Sequence, residues 1–314
     1  MSILSKTPAR VMPNPALPAR FEGSDALTID LHMHSTASDG ALSPTDLVAL
    51  CVERGLTHIA LSDHDTVAGV EEAVSAGADA GLAVLPATEL SIQWRGINLH
   101  VVGLLPEGAS GALADGLVAQ AEARERRAVT IAERMEKIGL DDALARAREQ
   151  AGSDRPLGRP DFAKALVAAG LVPDMSTAFS KHLGNGKAGD IKALWPHLAE
   201  GVRWILESGG VAVLAHPLRH KLTRRKRGLL LDDFREAGGR AAELISGFQN
   251  ADVTRDLARQ LHERDLMASL GSDFHFPGGH LAPGSMSPTP RTSVAPVWTH
   301  PRLAAWIDRA ATAA

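Results

Sequence analysis

The stretch Ile29-Asp-Leu-His-Met-His-Ser-Thr-Ala-Ser-Asp-Gly40 decides how this chain is read. The apolar residues Ala26, Leu27, Ile29 and Leu31 predict a strand, and alternation along it sends His32 and His34 to one face. Two imidazoles at that spacing make a pincer for a metal ion. Asp39, in a Ser-Asp-Gly turn, can curl a hard oxygen back toward them. Taken alone, the pair is equally compatible with two half-exposed histidines at a strand end. Four further segments alter that balance.

Outward from this stretch the chain alternates strands and helices. Ser43 caps a helix whose first position is Pro44 and which stops at Gly55. Residues 57–65 predict a buried strand with a polar end, and 67–80 a second helix. Residues 82–89 predict a third strand closing on an acid. After the Trp94-Arg95-Gly96 turn, 97–103 form a short alternating strand carrying His100. From about 104 to 206 the texture is helical: a long amphipathic helix at 113–138, then shorter ones near 162–169, 176–183 and 197–206. Strands resume at 210–217, 242–246 and 266–273, with helices near 229–237 and 252–264. Residues 276–293, rich in Gly, Pro and Ser, predict loop. The expected organisation is a disordered leader at 1–24 and a discontinuous barrel at 25–103 and 207–314. A helical insertion at 104–206 has the size of a substrate lid.

Composition narrows the function classes. With 314 residues and 45% hydrophobic content, a sizeable core is available. A net charge of −4 supplies no global basic field, so a polyanion must be bound by a local patch. The single cysteine, Cys51, falls in a helical pattern and reads as core; with no internal disulfide, a reducing cytoplasm is the expected compartment. Neither a signal-peptide core nor an apolar run of about 18 residues is present, so no membrane association is expected. No obligate protein partner is evident.

Collecting the polar residues at the predicted strand exits gives His32, His34, Asp39, Asp63, His64, Asp65, Glu89, His100, His216, Asp273 and His275. In a parallel barrel these positions converge on one mouth. His100 is the partial exception, because it sits inside its strand, where a core histidine is the lesser alternative. Asp63 and Asp65 could orient His64, or serve turn and helix-cap chemistry. Asp273-Phe-His275 repeats the pincer of His32-Met-His34. His58, His182, His197, His220, His262, His280 and His300 lie outside the pattern.

These motifs, His32-x-His34 with Asp39, Ser-Asp-His64, Glu89, His100, Ala-His216-Pro and Gly-Ser-Asp273-Phe-His275, resemble those of the PHP (polymerase and histidinol phosphatase) metallophosphoesterases. The likeness runs from about Leu27 to Gly279 and implies an α/β fold, a distorted (β/α)7 barrel. It also implies three divalent metals. One would be held by His32, His34, Glu89 and Asp273, a second by Asp39, His64 and His275, and a third by Glu89, His100 and His216. Imidazole and carboxylate donors suit manganese, zinc or iron. His216 stands where some members place cysteine, which favours manganese over zinc. Such ions outweigh the three carboxylates, so the site would be net positive and suited to phosphate. A metal-bound hydroxide beside Glu89, Asp273 and His275 would be the nucleophile.

Within the insertion, residues 157–163 and 184–187 resemble the lid of the TrpH-type branch. Its members hydrolyse the 3′-phosphate of nucleoside 3′,5′-bisphosphates and trim short RNA from its 5′ end. The resemblance implies that Arg159 and Lys187 grip the 5′-phosphate, with Arg124 and Arg127 as further partners. Against the last two stands a solvated helix face shared with Glu122 and Glu125. Asp161 occupies a position where the family shows histidine, and an acid there could pair with Arg159 and weaken its hold on phosphate. The basic run 219–227 is either an exposed helix start or a collar drawing oligonucleotide to the mouth. His220 or a metal-bound water could protonate the leaving group. The competing functions are a histidinol-phosphate phosphatase, disfavoured by the long insertion with Gly158-Arg159-Pro160, and a silent PHP module that binds metal without catalysis.

Overall fold

Residues 28–191, 195–279 and 281–312 are described in this computed structural model. The expected leader and His280 lie outside them. Seven strands form one sheet in chain order: β1 (Ile29–Asp30), β2 (His58–Leu61), β3 (Ala83–Trp94), β4 (Ile97–Leu104), β5 (Val211–Leu214), β6 (Ala241–Ser246) and β7 (Met267–Gly271). The short strands β2, β5 and β6 are buried along their whole length and do not alternate; β5 is apolar throughout, while β2 opens on His58 and β6 carries Glu243 and Ser246. Backbone bonds join the two ends of the sheet: Leu31 N–H donates to the Leu270 carbonyl at 3.0 Å and His34 N–H to that of Phe274 at 2.9 Å. The sheet is thereby rolled into a barrel.

The helices are α1 (Pro44–Glu53), α2 (Val70–Ala80), α3 (Gly111–Glu136), α4 (Ala143–Ala151), α5 (Arg159–Ala168), α6 (Met175–Ala178), α7 (Leu198–Glu207), α8 (Arg224–Glu236), α9 (Ala251–His262) and α10 (Pro301–Thr312). A π-helical turn, Phe179–Leu183, extends α6. Ser43 Oγ accepts the Asp46 N–H at 3.0 Å, the cap its sequence predicts. Cys51 is fully buried in the core between α1 and the sheet, beside Met33. Helices α3 to α6 carry an apolar cluster of their own around Met135, Phe162, Leu166 and Leu183. Helix α7 instead packs Val202 and Ile205 into the barrel core. No helix among the described residues is long and apolar enough to cross a membrane.

Several expectations are corrected. The strands are not all parallel, because β4 runs antiparallel to both β3 and β5. Arg95 and Gly96 both take positive φ, 47° and 74°, making a two-residue hairpin that leaves no room for a crossover helix. Glu89 is consequently a mid-strand residue on the hairpin rather than a strand exit, while His100 lies inside its strand as expected. Conversely, β1 ends at Asp30, and His32 and His34 leave it in extended backbone clamped between β2 and β7. Helix α8 begins at Arg224 rather than near 229, with the Thr223 hydroxyl accepting from Lys226 N–H. The basic run is thus a helix start in which Arg224 and Arg227 pair with Asp256. Helices α4 and α10 were not anticipated.

Candidate metal centre

The hairpin and the strand exits bring every expected donor to one mouth. His32, His34, Glu89 and Asp273 are all buried and form one cluster. Within it His32 Nε2 lies 3.2 Å from Glu89 Oε2 and 3.4 Å from Asp273 Oδ1, and His34 Nε2 lies 3.3 and 3.2 Å from the same atoms. His34, Asp39, His64 and His275 form a second, looser group, with Asp39 oxygens 3.5 Å from His275 and 3.9 Å from His64. In a third, Glu89 Oε1 meets His100 Nδ1 at 3.0 Å and His216 Nε2 at 2.9 Å, and the two rings approach to 3.3 Å. His64 also faces Glu89, at 3.0 Å. Glu89 stands at the centre of all this because alternation aims it inward from β3, one step from the register pair Ser91 and His100.

Local backbone holds these donors in place. Asp273 and His216 adopt left-handed backbone, φ 56° and 29°, turning their side chains back over the mouth at the ends of β7 and β5. A Cβ at Gly271 would stand 2.2 Å from His32 Cβ, so the motif's glycine is what lets β7 approach that histidine. Asp63 accepts from Ser35 N–H, Ser35 Oγ and Ser38 Oγ at 2.8, 2.6 and 2.5 Å, fixing the loop that carries His34 and Asp39. Its role is therefore turn chemistry rather than orienting His64. Asp65 also turns away, accepting from Ser91 N–H at 2.6 Å and from Arg124 Nε at 2.7 Å.

The donor set fits metal ions. His32 Nε2 and His34 Nε2 face each other at 3.1 Å, and the His100 and His216 nitrogens at 3.3 Å. Ligands about 2.1 Å from a tetrahedral metal stand roughly 3.4 Å apart, so these separations are those of atoms sharing a cation. The buried Nδ1 atoms of His34 and His216 lack any hydrogen-bond partner among the described residues, and His64 Nδ1 meets only the Glu89 carboxylate. Burial opposes charge on Glu89, yet His100, His32 and His64 hold its carboxyl well below the usual range. Asp273 is likewise held down against burial by His32 and His275, so both carboxylates remain anionic. Burial also opposes charge on His34, but Asp273 and Glu89 push it up to about 10.

Two residues in the site were not singled out from the sequence. Glu243, buried in β6, accepts from His216 N–H at 2.7 Å and lies 2.5 Å from His32 Nδ1. A lone acid in the apolar run Ala241-Ala-Glu-Leu-Ile-Ser246 was the available signal. Arg219, submerged in the basic run, reaches Asp273 Oδ2 and the Ser246 carbonyl. His220 contacts the His216 ring, and burial, with His216 and His100 beside it, pushes it down to about 3. It is therefore the neutral imidazole rather than an imidazolium acid at neutral pH.

Beside the cluster lies a cationic chamber of about 200 Å³. Arg124, Arg127 and Arg159 line it, together with Asp39, His64 and His100 from the metal edge. Arg124 and Arg127 are only 8% and 7% exposed, which overturns the solvated-face alternative for them. Their guanidinium carbons sit 5.6 and 5.4 Å from the Trp195 ring. Burial, with Arg159 and Arg124 close by, pushes Arg127 down to about 9, the mark of a cation cluster wanting an anion. Lys187 is exposed and is not among the chamber's lining residues. Asp161 does not pair with Arg159. Its carboxylate binds Arg155 on two bonds, 2.9 and 2.7 Å, and accepts the Gly158 N–H at 2.8 Å. The acid whose charge Arg159 feels most is Asp190.

A barrel mouth lined by three histidine and carboxylate clusters, with an arginine chamber at its edge, defines a metal-dependent hydrolase of anionic substrates. The PHP domain family matches residues 30–113. The chain is 39% identical over 269 residues to a 5′-3′ exoribonuclease from Haemophilus influenzae, covering 86% of this chain and 97% of that one. This chain belongs to the PHP family, and it is a metal-dependent phosphoesterase. It is also 39% identical over 250 residues to a 3′,5′-nucleoside bisphosphate phosphatase from Chromobacterium violaceum, covering 80% of this chain and 88% of the relative. A solved Chromobacterium violaceum structure, described as an amidohydrolase with bound sulfate and no metal, superposes with a TM-score of 0.81 at 37% identity. That match covers 88% of this chain and 96% of the other.

Proposed function

We propose that this chain hydrolyses the 3′-phosphate of nucleoside 3′,5′-bisphosphates, giving a 5′-nucleotide and phosphate, and trims short RNA from its 5′ end by the same cleavage. The observation that carries this is the juxtaposition of two anion sites on one edge: the metal clusters, and the arginine chamber that shares Asp39, His64 and His100 with them. A substrate satisfying both needs phosphates at two ends of one rigid body. The names of the two relatives, a bisphosphate phosphatase and a 5′-3′ exoribonuclease, support the same substrate class.

His32, His34, Glu89 and Asp273 would hold one divalent ion, Asp39, His64 and His275 a second, and Glu89, His100 and His216 a third. Hard and borderline donors throughout favour manganese, with zinc or iron as alternatives. When bound, such ions activate water for attack on phosphorus and offset charge on the phosphoryl oxygens. Arg127 and Arg159 hold the remote 5′-phosphate, and Arg124, fixed by Asp65, completes the wall. Lys187 is a further candidate from the exposed turn beyond Phe179–Leu183. Within the helical block at 104–206, helices α3 to α6 act as the lid that brings these cations over the barrel, while α7 packs on the barrel itself. In both substrates the P–O3′ bond breaks, so a single seat for the 5′-phosphate serves nucleotide and RNA.

The test is turnover by the metal-loaded protein of adenosine 3′,5′-bisphosphate, 3′-AMP and histidinol phosphate in parallel. One charge-assisted phosphate contact contributes about 1.5–3 kcal/mol, so the bisphosphate should exceed 3′-AMP by at least about tenfold in kcat/KM, with 5′-AMP as product. Equal rates on 3′-AMP, release of the 5′-phosphate, or a preference for histidinol phosphate would sink the proposal.

A further inference from the structure

A second chamber, of about 410 Å³, opens on the same edge. One wall is a stripe of α3, Ala114, Leu117, Val118 and Ala121, at the spacing that normally buries a helix against protein. Here the stripe faces a cavity, and Val118 remains 63% exposed. Val67 and Ala68 also line the chamber, as does Arg155. The Arg155 side chain is 9% exposed, and Asp161 clasps it through both carboxylate oxygens. Its charge is thereby matched and its plane fixed.

We propose that this chamber seats the nucleobase of the substrate, with Arg155 as its stacking face and Asp161 as the residue that positions Arg155. The proposal rests on the bisphosphate function above. A base hangs from the same ribose whose 3′- and 5′-oxygens carry the two phosphates, so its seat must border both phosphate sites. This chamber does: it shares Asp39 and His64 with the metal edge, and Arg124 and Gly158 with the arginine chamber. A seat for the next nucleotide of an RNA would need to border the metal edge alone.

The chemistry of the walls suits a base held by shape rather than by a hydrogen-bond code. The Ser38 hydroxyl donates to Asp63, Asp65 is engaged by Gln120 and Arg124, and Arg155 by Asp161. Apart from Asp39 and His64 at the metal edge and the Thr66 hydroxyl, which accepts from Ala68 N–H, what remains is apolar surface and a flat guanidinium, which packs well on a π-face. Asp161, where the resembling lids carry histidine, thus acquires a role at the base rather than at the 5′-phosphate.

The experiment compares adenosine 3′,5′-bisphosphate with anhydroribitol bisphosphate, which carries the same sugar and phosphates without a base. Wild type should prefer the nucleoside by about tenfold in kcat/KM. Arg155→Lys keeps a cation for Asp161 but removes the flat face, and should erase most of that preference through KM. Asp161→Asn should do the same by releasing Arg155. Ala114→Phe, at an exposed position, fills the chamber from the helical wall and should penalise the nucleoside more than the base-free compound. Equal turnover of the two compounds by wild type would overturn the proposal, as would parallel losses on both in all three variants. Hydrolysis of neither by metal-loaded wild type would remove the bisphosphate function, and this subsite with it.

Discussion

Glu243 lies 2.5 Å from His32 Nδ1 through one carboxylate oxygen and accepts the His216 backbone N–H at 2.7 Å through the other. A single buried acid on β6 therefore orients donors belonging to two of the three clusters. A carboxylate on the far nitrogen of a ligating imidazole fixes its tautomer and raises its basicity. Glu243→Gln should weaken metal binding about 10- to 100-fold while the circular dichroism spectrum stays that of the wild type. Metal titration of the purified variant checks this; wild-type affinity would mean that Glu243 only fills space.

Glu89 touches all three clusters, so its loss cannot be compensated by one neighbour. Glu89→Ala, or Asp273→Asn at the first cluster, should lower kcat by orders of magnitude with the barrel still folded. Steady-state rates beside metal content from elemental analysis decide it. Near wild-type turnover in either variant would dismiss the three-cluster assignment.

Arg159 lines the cationic chamber and Lys187 does not. Arg159→Ala should therefore cost about tenfold or more in kcat/KM on adenosine 3′,5′-bisphosphate and much less on 3′-AMP, with Lys187→Ala the milder of the two. The ratio of the two substrates is the readout. Equal losses on both would place Arg159 at the scissile phosphate or in folding.

Gly271 has no space for a side chain, since a Cβ there would meet His32 Cβ at 2.2 Å. Gly271→Ala should displace His32, destabilise the barrel by about 1–3 kcal/mol and reduce metal uptake. Chemical denaturation in chelator, followed by metal titration, separates the two effects. An unchanged midpoint and full metal content would contradict the close approach.

The candidate donors could be read from the chain because their signal is local. His32-Met-His34 and Asp273-Phe-His275 owe their shared faces to the two-residue period of extended backbone, which needs no knowledge of what lies across the barrel. The βα alternation, the Ser43-Pro44 helix start and the resemblance carried by these motifs likewise survive in one dimension. The reversal at β4 was present as Arg95-Gly96 between two alternating runs, and it moved Glu89 from a strand exit to mid-strand.

Partnerships belonged to the folded molecule. His32 meets Glu243 across 211 residues, and Arg124 meets Asp65 across 59. Asp161 is nearer in sequence to Arg159 than to Arg155, yet it binds Arg155. Residue type and spacing decide which side chains can ligate a metal or grip a phosphate. Which buried charge is matched with which is decided by desolvation and packing between distant elements, because only in the assembled barrel are those groups forced out of water together.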